Sequence, residues 1–531
     1  MAALGRWTGG TTSLLPGTGW NAPNGMFPTQ ARNDGYSFAS SSSQATLPGS
    51  DLADGYLLVA AFELEDTSNG RANPQGRIIQ SSGTGDFVGE ASSGYNRDNS
   101  EDRSYVRCWG FVHNPSAGAQ FQFQWRRDSD APTGGTRRSE FWVIPLYYSD
   151  IGVYSSSSNA CPGGTTPNQI TGFSGTDGAN ITLSGSTVTV SGDNKRYLAL
   201  GGAYWQNIGA ARTQRWKGLR IDGVQENAAK AYSYGRNGSN ADIGDLFSWL
   251  IETGTTDRTI DAYVYRGDGV ANLQGGANVD GNTTGANAQH ALVVIELNDS
   301  AEVFATRATS QSVNLTATGP IDLSIAQTVD LNDAGSFTQS GTSGINVEQD
   351  CDVLFGANIS GASNNVGTGA RYTGYAELTV DGVEDANSIA GDYLRNNQGS
   401  QDTFGWSANL LGAAAVTTGQ DLGVSVTELP GSEGGGNMVS PAGWSGFWGV
   451  NLDSLQATGS NVAVEVPSAT VEITGHAPEA AVSSRVYWAV YPSGQADPAA
   501  AEIIGQTVAN GVFGSAPSPT ATSTLVGSVI G

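Results

Sequence analysis

Hydrophobic and polar residues alternate through much of this chain. Phe121, Phe123 and Trp125 are separated by Gln122 and Gln124, and Thr187, Thr189, Ala262 and Val264 sit in similar period-two runs. Further on, Val464, Val466, Val471 and Ile473 alternate around Pro467, followed by Val486, Trp488 and Val490. A period of two places one set of side chains on one face of a strand. Asp-Gly pairs at Asp34-Gly35, Asp54-Gly55, Asp222-Gly223, Asp268-Gly269, Asp280-Gly281 and Asp381-Gly382 are hairpin signals, because both residues tolerate positive φ. Helix is scarce; Ala228 to Tyr234 and Pro498 to Ile504 are expected to hold a turn or two. About eight strands in each stretch of roughly 120–150 residues fit an antiparallel sandwich, jelly-roll-like or Ig-like.

The pattern repeats. Arg212 to Arg236 aligns with Arg371 to Arg395: Leu219 falls on Leu378, and Ile221-Asp222-Gly223-Val224 on Val380-Asp381-Gly382-Val383. Tyr234 and Arg236 fall on Tyr393 and Arg395. Asp245, Phe247 and Trp249 align with Asp402, Phe404 and Trp406, and Leu198, Leu200 and Gly201 with Val353, Phe355 and Gly356. Ile295 and Leu297 align with Val450 and Leu452. A fainter earlier occurrence puts Tyr56 to Ala60 on Tyr197 to Gly201, Arg71 on Arg212, and Tyr95 and Arg97 on Tyr234 and Arg236. Internal repetition of this length implies one structural unit used several times. The expected architecture is all-β: three related tandem antiparallel β-sandwich modules at 34–151, 152–300 and 301–456. An extended docking arm (1–33) precedes them and a small C-terminal β domain or tail (457–531) follows. The arm is apolar but broken by Gly and Pro. Its Trp7, Leu14, Leu15, Trp20 and Phe27 are expected to order by lying on a neighbour.

Composition narrows the class. The 531 residues include 73 Gly, and only 14% are charged against roughly 25% in an average domain. Net charge is −25, so the summed field repels polyanions and no nucleic acid is expected as a partner. With 38% hydrophobic residues and 12 Trp, 18 Tyr and 16 Phe, the chain is not expected to be disordered. The charge is split. Residues 1–266 hold 21 basic and 24 acidic residues, and residues 267–531 hold 4 and 26. Arginine suits interface pairs, so the first half reads as the docking half and the acidic half as the solvent-facing one.

Chemistry motifs are sparse. Cys108, Cys161 and Cys351, like His113, His290 and His476, are scattered and show no disulfide or zinc spacing. No Gly-rich run opens a helix after a strand, so no cofactor is expected. Glu63, Glu65 and Asp66 offer carboxylates of the kind a glycosidase uses, but acidic residues at a strand end are usually solvated. Arg266-Gly267-Asp268 reads as a turn, and Asp280 and Asn282 lack EF-hand spacing. The repeated Arg71, Arg212 and Arg371, Arg97, Arg236 and Arg395, and Tyr95, Tyr234 and Tyr393 read as structural positions rather than as a triplicated ligand site, as do Trp249 and Trp406. No apolar run approaches 18 residues and Met1 to Thr12 lacks the features of a signal peptide. A chain made in the cytoplasm without membrane insertion is the expectation.

The segment Val464-Glu-Val-Pro-Ser-Ala-Thr-Val-Glu-Ile-Thr-Gly-His-Ala-Pro478 resembles V-x-V-P…T-G-x-A-P stretches of virion structural proteins of tailed, marine-type bacteriophages. The likeness covers about 15 residues of the chain. It implies a non-enzymatic role in a virion made in the host cytoplasm: capsid decoration, tail or fibre. Its partners would be other virion proteins, further copies of the chain in a homo-oligomer and, for a tail or fibre, a host-surface glycan. A polysaccharide-degrading tail enzyme is the remaining alternative.

Overall fold

The computed structural model describes residues 3–456 except 51, 66–72, 96–102, 128–133, 158–165, 208–212, 236–240, 267–272, 275–289, 315–319, 364–370, 396–404 and 429–436; beyond these it describes 482–489 and 503–511. The chain divides into two compact units, Met1–Gln456 and Ala457–Gly531. In the second, Val482–Ala489 pairs antiparallel with Ile503–Gly511. The stretch Val464 to Pro478 lies outside the described residues.

The first unit is all-β with antiparallel sheets, and twenty-four strands carry its frame. The first eight are β1 (Gly5–Gly9), β2 (Gln44–Thr46), β3 (Gly55–Glu65), β4 (Pro74–Ser82), β5 (Ser92–Ser93), β6 (Arg103–His113), β7 (Gln120–Arg127) and β8 (Gly135–Leu146). The next are β9 (Asp150–Ser156), β10 (Thr187–Val190), β11 (Arg196–Asn207), β12 (Thr213–Ile221), β13 (Val224–Gly235), β14 (Ala241–Glu252), β15 (Arg258–Arg266) and β16 (His290–Glu296). The last are β17 (Val303–Arg307), β18 (Gly344–Val347), β19 (Cys351–Ser363), β20 (Arg371–Val380), β21 (Val383–Arg395), β22 (Gly405–Val416), β23 (Asp421–Glu428) and β24 (Gly446–Asn451).

Strand order recurs. The large sheets run β1-β8-β3-β6, β9-β16-β11-β14 and β17-β24-β19-β22; the small sheets run β2-β7-β4-β5, β10-β15-β12-β13 and β18-β23-β20-β21. In each pair the sheets pack face to face. Phe62 of β3 meets Phe123 of β7 with ring centroids 5.9 Å apart, and Phe304 of β17 meets Phe337, on the strand beside β18, at 4.9 Å.

The two kinds of sheet read differently in sequence for a physical reason. In β7, Phe121, Phe123 and Trp125 are buried while Gln122 and Gln124 are half-buried, the signature of one covered face. In β3 every residue of Gly-Tyr-Leu-Leu-Val-Ala-Ala-Phe-Glu-Leu-Glu is buried. Leu58, Ala60 and Phe62 point into the first sandwich, whereas Leu57 and Val59 join an apolar cluster that also holds Leu198 and Leu200 of β11 and Leu354 and Val450 of the third sandwich. The outer faces of the three large sheets therefore share one core.

The small sheets close this arrangement into a cycle. Ser92 Oγ of β5 donates to Gly244 O of β14 at 3.2 Å, and Gly244 N donates to Ser93 Oγ at 3.0 Å. Tyr232 N of β13 donates to Ser407 Oγ of β22 at 2.8 Å. Arg107 Nε of β6 donates to Ile389 O of β21 at 3.0 Å. The first sandwich thus docks on the second, the second on the third and the third on the first, a head-to-tail contact that closes after three steps.

Several expectations change. Residues 1–33 are not an extended arm: β1 pairs with β8 and with Thr29–Asn33 in the first large sheet. Trp7 and Phe27 are buried in that sandwich, Leu14 packs against it, and Leu15 is exposed. Trp20 lies between the guanidinium groups of Arg77 and Arg126, at 4.2 and 4.7 Å. The first sandwich therefore starts at Gly5, not at residue 34. Ala228 to Tyr234 is strand within β13: Lys230 to Tyr234 pair with Gly218 to Gln214 of β12, and Ala228 and Ala229 fall at a break in the register before them. Asp222-Gly223 and Asp381-Gly382 are two-residue hairpin turns with positive φ at both positions, whereas Asp54-Gly55 leads straight into β3. Asp268-Gly269 and Asp280-Gly281 lie outside the described residues. Register corrects the alignment by one residue: Leu198 faces Ile295 and Leu354 faces Val450, so Leu198 corresponds to Leu354 rather than Val353. A one-residue slip turns a strand's side chains to the other face.

Candidate functional site

The repeated tyrosines meet. Tyr95 follows β5, Tyr234 is in β13 and Tyr393 in β21, the same strand of each sandwich. Their ring centroids are 5.5 Å (Tyr95–Tyr234), 5.0 Å (Tyr95–Tyr393) and 5.6 Å (Tyr234–Tyr393) apart, tilted or edge-on, the arrangement that ring quadrupoles favour. All three are buried. Three equivalent residues in mutual contact mark a pseudo-threefold axis through the unit.

The other repeated positions are not gathered there. Arg71, Arg97, Arg212 and Arg236 lie outside the described residues, while the backbones of Arg371 and Arg395 pair at the open end of the β20–β21 hairpin. Trp249 and Trp406 are both buried but are not equivalent. Trp249 faces Ala199 near the start of β11, and Trp406 faces Gly361 near the far end of β19. Asp402 and Phe404 lie outside the described residues.

Around the axis the seams between sandwiches are held by residues that sequence reading missed. Arg6 NH2 of β1 reaches Asp385 of β21 at 2.7 Å, and Arg307 NH1 of β17 reaches Glu226 of β13 at 2.7 Å. These two clamps are equivalent: each uses the first strand of one sandwich and the fifth of the one before. Glu226 and Asp385 each stand two residues after an aligned Asp-Gly-Val, a signal the sequence did contain. Arg32 meets Asp352 at 2.5 Å, and Arg138 meets Glu377. Arg107 is buried; it donates to Glu140 at 2.6 Å and to the carbonyls of Ile389 and Leu411.

Close packing at the seams falls on glycines. A Cβ on Gly202 of β11 would lie 1.5 Å from Glu90 Oε2, and one on Gly446 of β24 would lie 2.4 Å from the Trp249 ring. Gly391 of β21 is keyed the same way, 2.7 Å from the Tyr105 ring.

Electrostatics at the axis is unusual. Burial raises Glu90 and Asp392 well above the ordinary carboxylate range, Glu90 against the pull of Lys217 and Asp392 with added repulsion from Asp245. Burial also pushes Glu377 up to about 8 against the attraction of Arg138, and lowers Lys230 to about 8. Lys230 Nζ sits over the Trp444 ring at 4.1 Å.

What the site can do chemically is mostly hold. Both oxygens of Glu63 are taken, by Arg103 at 2.7 Å and Arg138 at 2.5 Å, and Glu65 pairs with Arg137. These carboxylates are locked in ion pairs, not poised over a cleft. Among the described residues no group of three or more His, Cys, Asp or Glu is placed to hold a metal ion. Cys108 and Cys351 are buried free thiols, and Asp66, Cys161 and His476 lie outside the described residues. Among the described residues no helix is long and apolar enough to cross a membrane. One cleft of about 270 Å³ opens between the second and third sandwiches, lined by Gln225, Glu226, Glu252, Arg258, Arg307 and Asp330 over Trp249. No family model matches the chain, and no curated protein matches it.

Proposed function

We propose that the chain is a non-enzymatic structural protein of a bacteriophage virion, seated on the capsid exterior at a threefold or locally threefold position. In this reading it consists of three tandem jelly-roll modules. Numbering the strands of each sandwich one to eight, the large sheet runs 1-8-3-6 and the small sheet 2-7-4-5, an order that fits two interleaved Greek keys. Jelly rolls of this kind build viral capsid and lectin domains. The observation that carries the proposal is the closed cycle of three such sandwiches about the Tyr95–Tyr234–Tyr393 contact. It gives one chain the shape rule of a trimer, suited to a threefold partner surface. The expected homo-oligomer of chains becomes a trimer of modules inside one chain. The protein content of purified virions tests this: the chain should be present, and a particle reconstruction should place it over threefold axes. Its absence from virions removes the proposal.

The alternative, a tail or fibre protein that binds a host glycan, is favoured by one observation. The cleft over Trp249 presents guanidinium and carboxylate groups of the kind that grip sugar hydroxyls. Binding on a glycan array that is lost in Arg258→Ala would select this reading.

A further inference from the structure

The Lys217 side chain is fully buried. It rises from β12 in the small sheet and crosses the second sandwich to the large sheet. There Nζ donates to Asp245 Oδ2 at 2.9 Å and to Ala203 O at 3.1 Å, 5.7 Å from the centre of the Trp205 ring. Ser233 Oγ donates to the same carboxyl oxygen at 2.5 Å. Amine and carboxyl are thus fixed against each other from both sides. The Lys217 end of the pair is cut off from water, and taking a charge out of water is costly.

The surroundings point the same way. Burial pushes the Asp245 carboxyl above its ordinary range against the pull of Lys217. Glu90 from the first sandwich and Asp392 from the third lie within electrostatic reach of Lys217 and Asp245, and burial raises both above the ordinary carboxylate range. Glu90 Oε1 and Asp392 Oδ2 are buried without a hydrogen-bond partner. Asp245 also lines a small cavity of about 20 Å³ together with Ser92, Ser93, Arg107, Ser407 and Asn409. That is room for about one water molecule.

We propose that Lys217 and Asp245 condense into an intramolecular isopeptide bond that joins the two sheets of the second sandwich. Lys217 Nζ passes a proton to the Asp245 carboxyl oxygen it touches and then attacks Asp245 Cγ. The Nζ–Cγ bond forms, the bond from Cγ to the hydroxyl oxygen breaks, and a proton from the amine leaves with that hydroxyl as water. The ammonium and carboxylate together become one neutral amide and one water, so no oxidant, reductant or cofactor is consumed. The cavity beside Asp245 receives the water. Fixing the two groups in contact replaces an encounter with a unimolecular step, where effective molarities are large.

Intact-mass spectrometry of the purified, denatured full chain tests the bond. Allowing for removal of the first Met, the expected mass is one water below that of the sequence. Lys217→Arg should restore the sequence mass, and Asp245→Asn should still react, with loss of ammonia instead. Proteolysis of the wild type should release a branched peptide joining the segments around Lys217 and Asp245. A wild-type mass equal to the sequence mass overturns the proposal, and so does a water loss that survives Lys217→Arg. The wild-type measurement decides the matter even where a variant fails to fold.

Discussion

The seam between the first and third sandwiches is more heavily charged than the seam between the second and third. The first–third seam is ionic: Arg6, Arg32 and Arg138 of the first sandwich meet Asp385, Asp352 and Glu377 of the third, and buried Arg107 spans Glu140 and two carbonyls of the third. The second–third seam has two ion pairs, Arg307–Glu226 and Arg196–Asp333, and neutral bonds beside them. Asn358 Nδ2 donates to Ser248 O at 2.7 Å, Ser360 Oγ to Lys230 O at 3.2 Å, and Trp448 Nε1 to Ser248 Oγ at 3.1 Å. The second and third sandwiches are consecutive, joined by the short link between β16 and β17. The first and third are joined only through the whole of the second. Closing that longer loop costs more entropy, and charge-assisted bonds offset it while discriminating against wrong docking. The charge split of the sequence gains a structural meaning here: arginines of the first half dock on carboxylates of the second, within one chain.

The strongest way to break this comparison is to delete residues 1–33. That removes β1, its neighbouring strand, Arg6 and Arg32 together. Hydrogen exchange should show the first sandwich unfolding while amides of β11 and β19 stay protected. Continued protection of β3 would show that β1 is dispensable. Next in size, Arg107→Ala should cost about 3 kcal/mol in denaturant unfolding, because Glu140 keeps only Arg6 and Trp142 as partners and the Ile389 and Leu411 carbonyls lose their buried donor. Ser407→Ala on the second–third seam should cost about 1–2 kcal/mol, the worth of its two hydrogen bonds to the Tyr232 backbone. Equal losses would mean that the two seams are alike. Gly202→Ala probes the first–second seam and should cost about 1–3 kcal/mol by overpacking against Glu90. The control, Gly254→Ala, has open space and should shift stability by less than about 0.5 kcal/mol.

A pH series probes the carboxyl group of Glu377 on the first–third seam. Glu377 is raised from 4.5 to about 8, so the folded state keeps a proton that the unfolded chain gives up. Its contribution to stability is full below pH 4.5 and is lost as pH rises to about 8, with a slope of at most about 1.4 kcal/mol per pH unit. The melting temperature should fall between pH 5 and pH 8, and Glu377→Gln should flatten that slope.

Local signals carried the strands and turns. Period-two alternation marks β7, and the aligned Asp-Gly pairs mark the two tight hairpins. Tyr95, Tyr234 and Tyr393 were visible as recurring positions, although nothing in the sequence places them in contact. What stayed hidden depends on distant pairing. β1 offers only Trp7 as a large apolar residue, and its partner β8 begins more than a hundred residues later. Gly and Pro around it suggested a loose arm. Ala228-Ala229-Lys230-Ala231 reads as helix locally, but it is strand, with Lys230 and Ala231 paired to β12. The absence of alternation in β3 is informative in retrospect, since it reports burial on both faces and hence a neighbour outside its own sandwich. Lys217 and Asp245 carry no spacing signal, because one lies in each sheet and only the fold brings them together.

The tyrosine contact has a consequence for how the unit behaves on dilution. Three separate polypeptides meeting at such a point would part as their concentration falls, and each interface would have to be self-consistent under one sequence. With all three on a single thread, each partner is held at a fixed effective concentration however thin the solution. The three faces are also free to diverge, and here one has become strongly anionic while another has kept its arginines. Stoichiometry is written into the gene instead of being left to mass action.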